Sequence, residues 1–576
     1  MAPPSPAGLT VGSAALWVVP IAVVLYLAYL WALPKPIPGI PYDESAKNNL
    51  FGNMPEMVAM LRATGRTRPF FTEHSRRHQS ALTQIWPGPL SKPALVLADF
   101  RETQDILLRR TREFDRGPLG TVPFTTVVPN NHVSMASSDP RFKGNKDLIK
   151  DLMTPNFLHE VSAPQIYTKT MALIELWTLK AELGGGRAFN ARGDIFDAAV
   201  DIINAVAFGL DDDRSTVKNQ ISTLRASGPG FKPAANADGS VEFPALPMPA
   251  DLAAMQEVVV YLGEQFKVPF PRLTHRVKML TDRALVRNIA RKDRFIRDEI
   301  DRAAARLRRG EGGTRSAMDH ILQREISAAE KAGRAPVFHS PQIHDELFGY
   351  LVAGHDTSST ALSWMVKNLA EYPETQAKLR SALRGAYAAA LGEGRQPSVT
   401  ELWKTQVPYL DAFLEESLRF DGPVPVLVRE ALVDTEVLGH RVPRGTAVFM
   451  ISDGPDYLTP AIRIPEADRS PSARGKQLVG SWDPADIHLF NPERWLKTTD
   501  GAVAYDSQSG PMLAFSVGPR GCFGRRLAYL EVRVVLALLV WNFEFHPVPG
   551  ALGTREAYDA LTKNPRRCYV SLTKIT

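Results

Sequence analysis

The sequence predicts a mainly α-helical body with a small β region, preceded by one N-terminal transmembrane helix. Three observations carry this. Residues 14–33 form a twenty-residue run without a charged side chain. Helical patterns dominate between residues 145 and 420. The stretch LVREALVDTEVLGHRVPRGTAVFM, starting at Leu427, then turns to β-branched alternation, with Gly439 and Gly445 as turn residues.

The first run reads AALWVVPIAVVLYLAYLWAL. As a helix, about twenty residues span a hydrocarbon core roughly 30 Å thick. Trp17 and Trp31 stand near its ends, where amphipathic rings favour the interface, and Pro20 falls in an early turn. A cleaved secretory signal is the alternative. Its apolar core is typically about 7–15 residues behind a basic segment, whereas this run is longer and follows no basic residue. Lys35, Lys47, Arg62, Arg66 and Arg68 come after it, so the positive-inside bias places the body on the cytoplasmic side. Residues 34–42, PKPIPGIPY, cannot continue a helix and form a stiff, extended connector. The expected division is an anchor at 1–33, a proline-rich hinge at 34–42 and one catalytic domain at 43–576.

Within the body, residues 50–110 mix helical patches with short strands such as ALVLADF, set off by Pro87, Pro89 and Pro93. A Pro/Gly/Ala stretch at 226–250 reads as loop, as does 452–481, for which no pattern supplies a role. A helix returns after Cys522. No internal repeat interrupts this order.

Composition narrows the function. The net charge of +6 comes from 68 basic and 62 acidic residues mixed along the chain. A nucleic-acid binder concentrates its basic residues in patches, so no nucleic-acid partner is expected. Two cysteines, Cys522 and Cys568, exclude a disulfide framework and a Cys-rich zinc site.

The densest local signal is FSVGPRGCFGRRLAYLEVRVVLALL, from Phe515. Gly518 and Gly521 let the backbone turn tightly and approach a flat ligand. A helix starting just after Cys522 aims free N–H groups at its sulfur and favours the thiolate, the form that binds metal. Arg520 is placed to pair with a carboxylate at the ligand's edge. The plainer reading is a buried free cysteine.

This run resembles the haem-binding signature of the cytochrome P450 family, FxxGxRxCxG, at Phe515, Gly518, Arg520, Cys522 and Gly524. The resemblance implies the cytochrome P450 fold and haem b, with Cys522 as axial thiolate ligand. Three further motifs follow in family order. EESLRF supplies the ExxR pair, Glu416 and Arg419, which the family uses to lock the core under the haem. NPERW supplies the third partner, Arg494, with Trp495 where Phe is usual. AGHDTS, in a long apolar helix, supplies Thr357 and Asp356 as the hydroxyl and acid that deliver protons during oxygen activation; His355, just before them, carries no family role. Arg429 matches the arginine that pairs with a haem propionate. The family's WxxxR appears only as Phe142 and Lys146, giving a point charge in place of a fork. His132 is a further candidate at the haem edge, with a plain exposed histidine as the alternative.

The resemblance implies a monooxygenase that inserts one oxygen atom from O2 into a lipophilic small molecule, in the manner of fungal secondary-metabolism members. Electrons would come from NADPH through cytochrome P450 reductase, with cytochrome b5 as an additional donor. The setting would be the endoplasmic reticulum membrane, crossed once. Arg525 and Arg526 offer an acidic redox partner a docking surface, or are only a solvated helix start. Rival readings are a haem-thiolate isomerase or dehydratase working without a reductase, and a haem-binding sensor without turnover. A hydrolase lacks its GxSxG setting.

Overall fold

Helical periodicity governs the middle of the chain, and the body is assembled around one helix buried on nearly every face. The computed structural model describes residues 11–575 apart from Pro229 and Gly312, with side chains from Trp17 onward. Helix α1 (Val11–Ala32) leads through the proline stretch to α2 (Pro69–His78), then β1 (Leu82–Ile85) and β2 (Ala94–Leu97). Next come α3 (Phe100–Leu108), β3 (Phe114–Asp115), α4 (Pro140–Ile149), α5 (Ala163–Gly184) and α6 (Arg192–Phe208). The central α7 (Pro341–Glu371) is followed by α8 (Pro408–Asp421), β4 (Val426–Ala431), β5 (Ala447–Ile451) and α9 (Arg525–Asn542).

Local chemistry sets the ends of these helices. Ser340 caps α7 by accepting from the Ile343 N–H, with Pro341 in the first turn, where its missing N–H costs nothing. Asp99 caps α3 by accepting from Glu102 N at 2.7 Å. Gly209 ends α6 at φ 69°, a left-handed value that glycine reaches without strain. The apolar residues of α7 pack against α6, α8 and α9, and α9 packs against α5. Trp177, Phe348, Met365 and Leu538 lie in the shared core.

The small β region is a five-stranded sheet in the order β1-β2-β5-β4-β3. Strands β2 and β5 run parallel, and every other pair is antiparallel. Val448 of β5 sits opposite Arg429 of β4, which places that arginine in the sheet interior. A second five-stranded sheet gathers Phe543–His546, Tyr569–Lys574, Phe189–Asn190, Val241–Glu242 and Ala234–Ala235. The stretch at 226–250, expected as loop throughout, thus contributes two short strands to this edge.

Residues 452–481 are largely irregular, as expected, and the structure shows what they do. They dock onto α3 and the residues after it. Arg469 forms a bidentate pair with Asp99 at 2.9 and 3.0 Å, Ser472 donates to Asp105, and Arg110 donates to Ser470 at 2.9 Å.

Val11–Ala32 is helical, as the sequence predicts. Among the described residues, however, no helix is long and apolar enough to cross a membrane. Residues 1–10 of the expected anchor lie outside the described residues.

Candidate functional site

The cysteine loop is shaped by its own backbone. Cys522 N donates to Phe515 O at 2.8 Å, Gly521 N donates to Gly518 O at 2.9 Å, and α9 begins at Arg525 with Gly524 as its cap. Cys522 is exposed, whereas Cys568 is buried against Ser363. The thiol of Cys522 is nonetheless desolvated by the loop around it. Desolvation raises its thiol pKa, opposed by the Gly524 N–H and by the charges of Arg525 and Arg116. The helix start favours the thiolate as expected, but desolvation outweighs it in the polypeptide alone. A metal cation at the sulfur supplies the missing charge.

Gly518 is required by its own backbone: its φ is +76°, and a Cβ there would stand 2.1 Å from Leu107 O at the end of α3. Gly524, by contrast, has open space where a Cβ would be. Phe515 packs its ring 4.9 Å from that of Tyr529 in α9.

Three arginines converge beside this loop. Arg429 comes from β4 and Arg520 from the loop itself. The third, Arg116 just after β3, carries no motif and was not legible in the sequence. Burial pushes Arg520 down to about 9, assisted by Arg116 and Arg429 and opposed by Asp115. Burial likewise pushes Arg429 down to about 10, with Arg116 adding to it. The carboxylate among them, Asp115, already accepts from Ser137 N at 2.6 Å, Ser137 Oγ at 2.8 Å and Arg116 N at 2.8 Å. Arg520 Nη2 donates to Met135 O at 2.9 Å, but its buried Nη1 has no hydrogen-bond partner among the described residues. An orphaned guanidinium N–H in a cluster of like charge fits an anionic ligand edge such as a pair of carboxylates.

Lys146 of α4 reaches the same corner. Its Nζ lies 3.5 Å from Pro519 O, and its pKa is lowered by burial and then by Arg520. Phe142 stacks on the Arg520 guanidinium, 4.2 Å from ring centroid to Cζ. His132 is not a plain exposed histidine: its side chain is 17% exposed and its Nδ1 lies 2.8 Å from Glu346 of α7. Glu346 also accepts from His132 N, Asn131 and Asn145, and so ties the His132 turn and α4 to α7.

The predicted Glu416–Arg419–Arg494 group forms as a network in which Glu416 and Arg419 are fully buried and Arg494 reaches them from the rim. Arg419 donates to both Glu416 oxygens at 2.8 and 2.7 Å, and Arg494 donates to Glu416 Oε1 at 3.2 Å. The remaining Arg419 N–H groups reach the carbonyls of Tyr457, Ile487 and Leu489, anchoring the chain that leads to the cysteine loop. Trp495 is more than an aromatic replacement, since its Nε1 donates to Glu416 Oε2 at 3.0 Å.

In the middle of α7, Ala353 is exposed between buried Val352 and half-buried Gly354. Thr357 Oγ1 donates back to Ala353 O at 2.7 Å, and Asp356 Oδ2 accepts from Thr562 Oγ1 at 2.9 Å. His355 is buried, with Nδ1 2.7 Å from Leu351 O and Nε2 3.2 Å from Gln256 Oε1. It is a satisfied core histidine and takes no part in the site. Glu531 of α9, unmarked in the sequence, accepts from Ser358 at 3.0 Å, and burial pushes its carboxyl up to about 8.

Comparison with known proteins agrees with this arrangement. The sequence profile named Cytochrome P450 matches residues 49–454 and 486–570. The cytochrome P450 monooxygenase TRI13 of Fusarium sporotrichioides is 35% identical over 582 residues, covering 96% of this chain and 98% of its own. The cytochrome P450 monooxygenase xilC of Penicillium rubens is 35% identical over 538 residues, covering 93% of this chain and 92% of its own. A crystal structure of a cytochrome P450, CYP102L1, superposes with a TM-score of 0.64 at 17% identity, over 94% of this chain and 100% of that one.

Proposed function

The chain belongs to the cytochrome P450 family, a monooxygenase family with haem held by a cysteine thiolate, and we propose that it inserts one oxygen atom into a lipophilic secondary metabolite. The haem, when bound, supplies the redox chemistry that activates O2. Cys522 is the residue that ligates it. Arg520, Arg429 and Arg116 pair with its carboxylates, assisted by Lys146 and His132, while Phe515, Gly518 and Gly524 shape the loop. Glu416, Arg419 and Arg494 hold the chain that leads to that loop.

The observation that carries the oxygenase reading is the Asp356–Thr357 pair. A polar pair in a buried helix is costly unless it is used or satisfied. Here the Asp356 carboxylate is held by Thr562, and Thr562 in turn lies 2.9 Å from Thr360. Asp356 and Thr357 thus stand side by side at the centre of α7, the acid held by Thr562 and the hydroxyl by Ala353 O. A hydroxyl and an acid in this arrangement suit proton delivery, which rearrangement without a reductase does not need.

Electrons come from NADPH through cytochrome P450 reductase, with cytochrome b5 as a second donor. Arg525 and Arg526, both exposed at the start of α9, offer an acidic partner a docking surface. Residues 1–33 anchor the chain once in the endoplasmic reticulum membrane, 34–42 form the hinge, and 43–576 face the cytoplasm. Support comes from the charge-free Val11–Ala32 helix and from exposed Trp17, Val24, Leu25 and Trp31 along it.

Incubation of the holoenzyme with reductase, NADPH and 18O2 across a panel of terpenoids, fatty acids and polyketides tests the reading. One 18O atom per product is expected, and Thr357→Val should lower product per NADPH by roughly ten- to a hundredfold. Turnover without NADPH, giving isomerised or dehydrated product free of 18O, contradicts it.

A further inference from the structure

A second cluster of ligating side chains stands where the proline stretch meets the body. His74 and His78, four residues apart on α2, both face the carboxylate of Asp43. His74 Nε2 lies 3.3 Å from Asp43 Oδ2, and His78 Nε2 lies 3.1 Å from Asp43 Oδ1. The three ligand atoms all fall within 4.8 Å of one another. Bonds of about 2.0–2.1 Å in a tetrahedron place ligand atoms roughly 3.3 Å apart, so small side-chain adjustments close this set on one ion. Spacing of i and i+4 brings two imidazoles onto one helix face, as in helix-borne zinc sites.

The second observation concerns His74 alone. Its side chain is 0% exposed, and its Nδ1 lies 2.9 Å from Thr83 Oγ1. Its Nε2 is buried, aimed at the Asp43 carboxylate, and has no hydrogen-bond partner among the described residues. A buried polar atom left in that state is costly unless something binds it. The Thr83 hydroxyl orients the ring through the opposite nitrogen, as outer partners do for metal-bound histidines. Arg77 donates to Asp43 Oδ2 at 2.9 Å and to Glu56 at 2.6 Å, so it steadies the carboxylate from outside.

We propose that Asp43, His74 and His78 form a three-ligand site for a divalent transition metal of the zinc class, its fourth position taken by water. The ion joins the first residue after the 34–42 connector to α2, which packs on β1 and β2. It therefore fixes the direction in which the connector leaves the body. The chemistry of the site, two imidazoles and one carboxylate, is far from the haem loop in sequence and independent of it.

Purified holoenzyme is dialysed against micromolar zinc chloride and then against metal-free buffer, and zinc and iron are counted by mass spectrometry. About one zinc per iron is expected in the parent. His78→Ala and Asp43→Asn should each retain at least roughly fivefold less, while His78→Cys, which restores a ligand, retains zinc. An unchanged haem spectrum identifies each variant as folded. Zinc should raise the melting temperature of the parent and of His78→Cys, and leave that of His78→Ala unchanged. A parent that retains no zinc, or variants that retain as much as the parent, overturns the proposal.

Discussion

At the scale of single residues, the site is an electrostatic problem solved by its ligand. Burial lowers Arg520 and Arg429, Arg116 lowers both further and Arg429 lowers Arg520, while Asp115 is already engaged by Ser137. Two ligand carboxylates relieve that repulsion, so removing one arginine weakens the hold on haem. Arg116→Gln is expected to release haem to an apo-globin acceptor about tenfold faster, the equivalent of one charge-assisted hydrogen bond of roughly 1.5 kcal/mol. Release at the parent rate would place Arg116 outside the site. Glu531 makes a separate prediction. Burial raises its carboxyl from the ordinary 4.5 to about 8 in the folded chain. Between those values the unfolded chain gives up the proton first, so stability falls as pH rises through that window. Glu531→Gln removes this loss. Its stability advantage over the parent should grow from pH 5 to 8, by at most about 1.4 kcal/mol per pH unit, and then level off. Equal differences at pH 5 and pH 8 in urea titrations would contradict the assignment.

Among elements, the cysteine loop is held from two sides. Its Gly518 abuts the end of α3, and the chain leading into it is fastened by Arg419 and Arg494 on Glu416. The ExxR pair was legible because its spacing is local, and Arg494 because NPERW resembles the family's segment. The Trp495 bond to Glu416 was not, because an indole donor is invisible until the partner's direction is known. Gly518 was legible as a necessary glycine, but its closeness to Leu107 O was not, because periodicity says nothing of the α3 carbonyl that lies against it. Gly518→Ala should lower the melting temperature sharply, since it combines a left-handed φ with a Cβ inside van der Waals contact. Gly524→Ala, with open space at its Cβ and φ −78°, should fold almost as the parent does. Equal melting temperatures for the two variants would show that the close approach to Leu107 does not matter.

For the molecule as a whole, the order of helices and the β region could be read from the sequence because each rests on patterns a few residues long. The residues that complete the site could not. Arg116 comes from a segment without a motif, Glu346 and Glu531 lie beside motifs that mark other residues, and all three meet the rest only through the packing of α7, α9 and the sheet. The loop at 452–481 was opaque for the same reason, since its partners Asp99, Asp105 and Arg110 lie over 300 positions away. The membrane reading rests on hydropathy and charge asymmetry alone. The central claim, a haem held by the Cys522 thiolate, is tested most directly by the carbon monoxide difference spectrum of the reduced protein beside Cys522→Ala. The account predicts a thiolate-type Soret shift in the parent that the variant lacks. Haem bound in the parent without that shift, or the shift surviving in the variant, would contradict it.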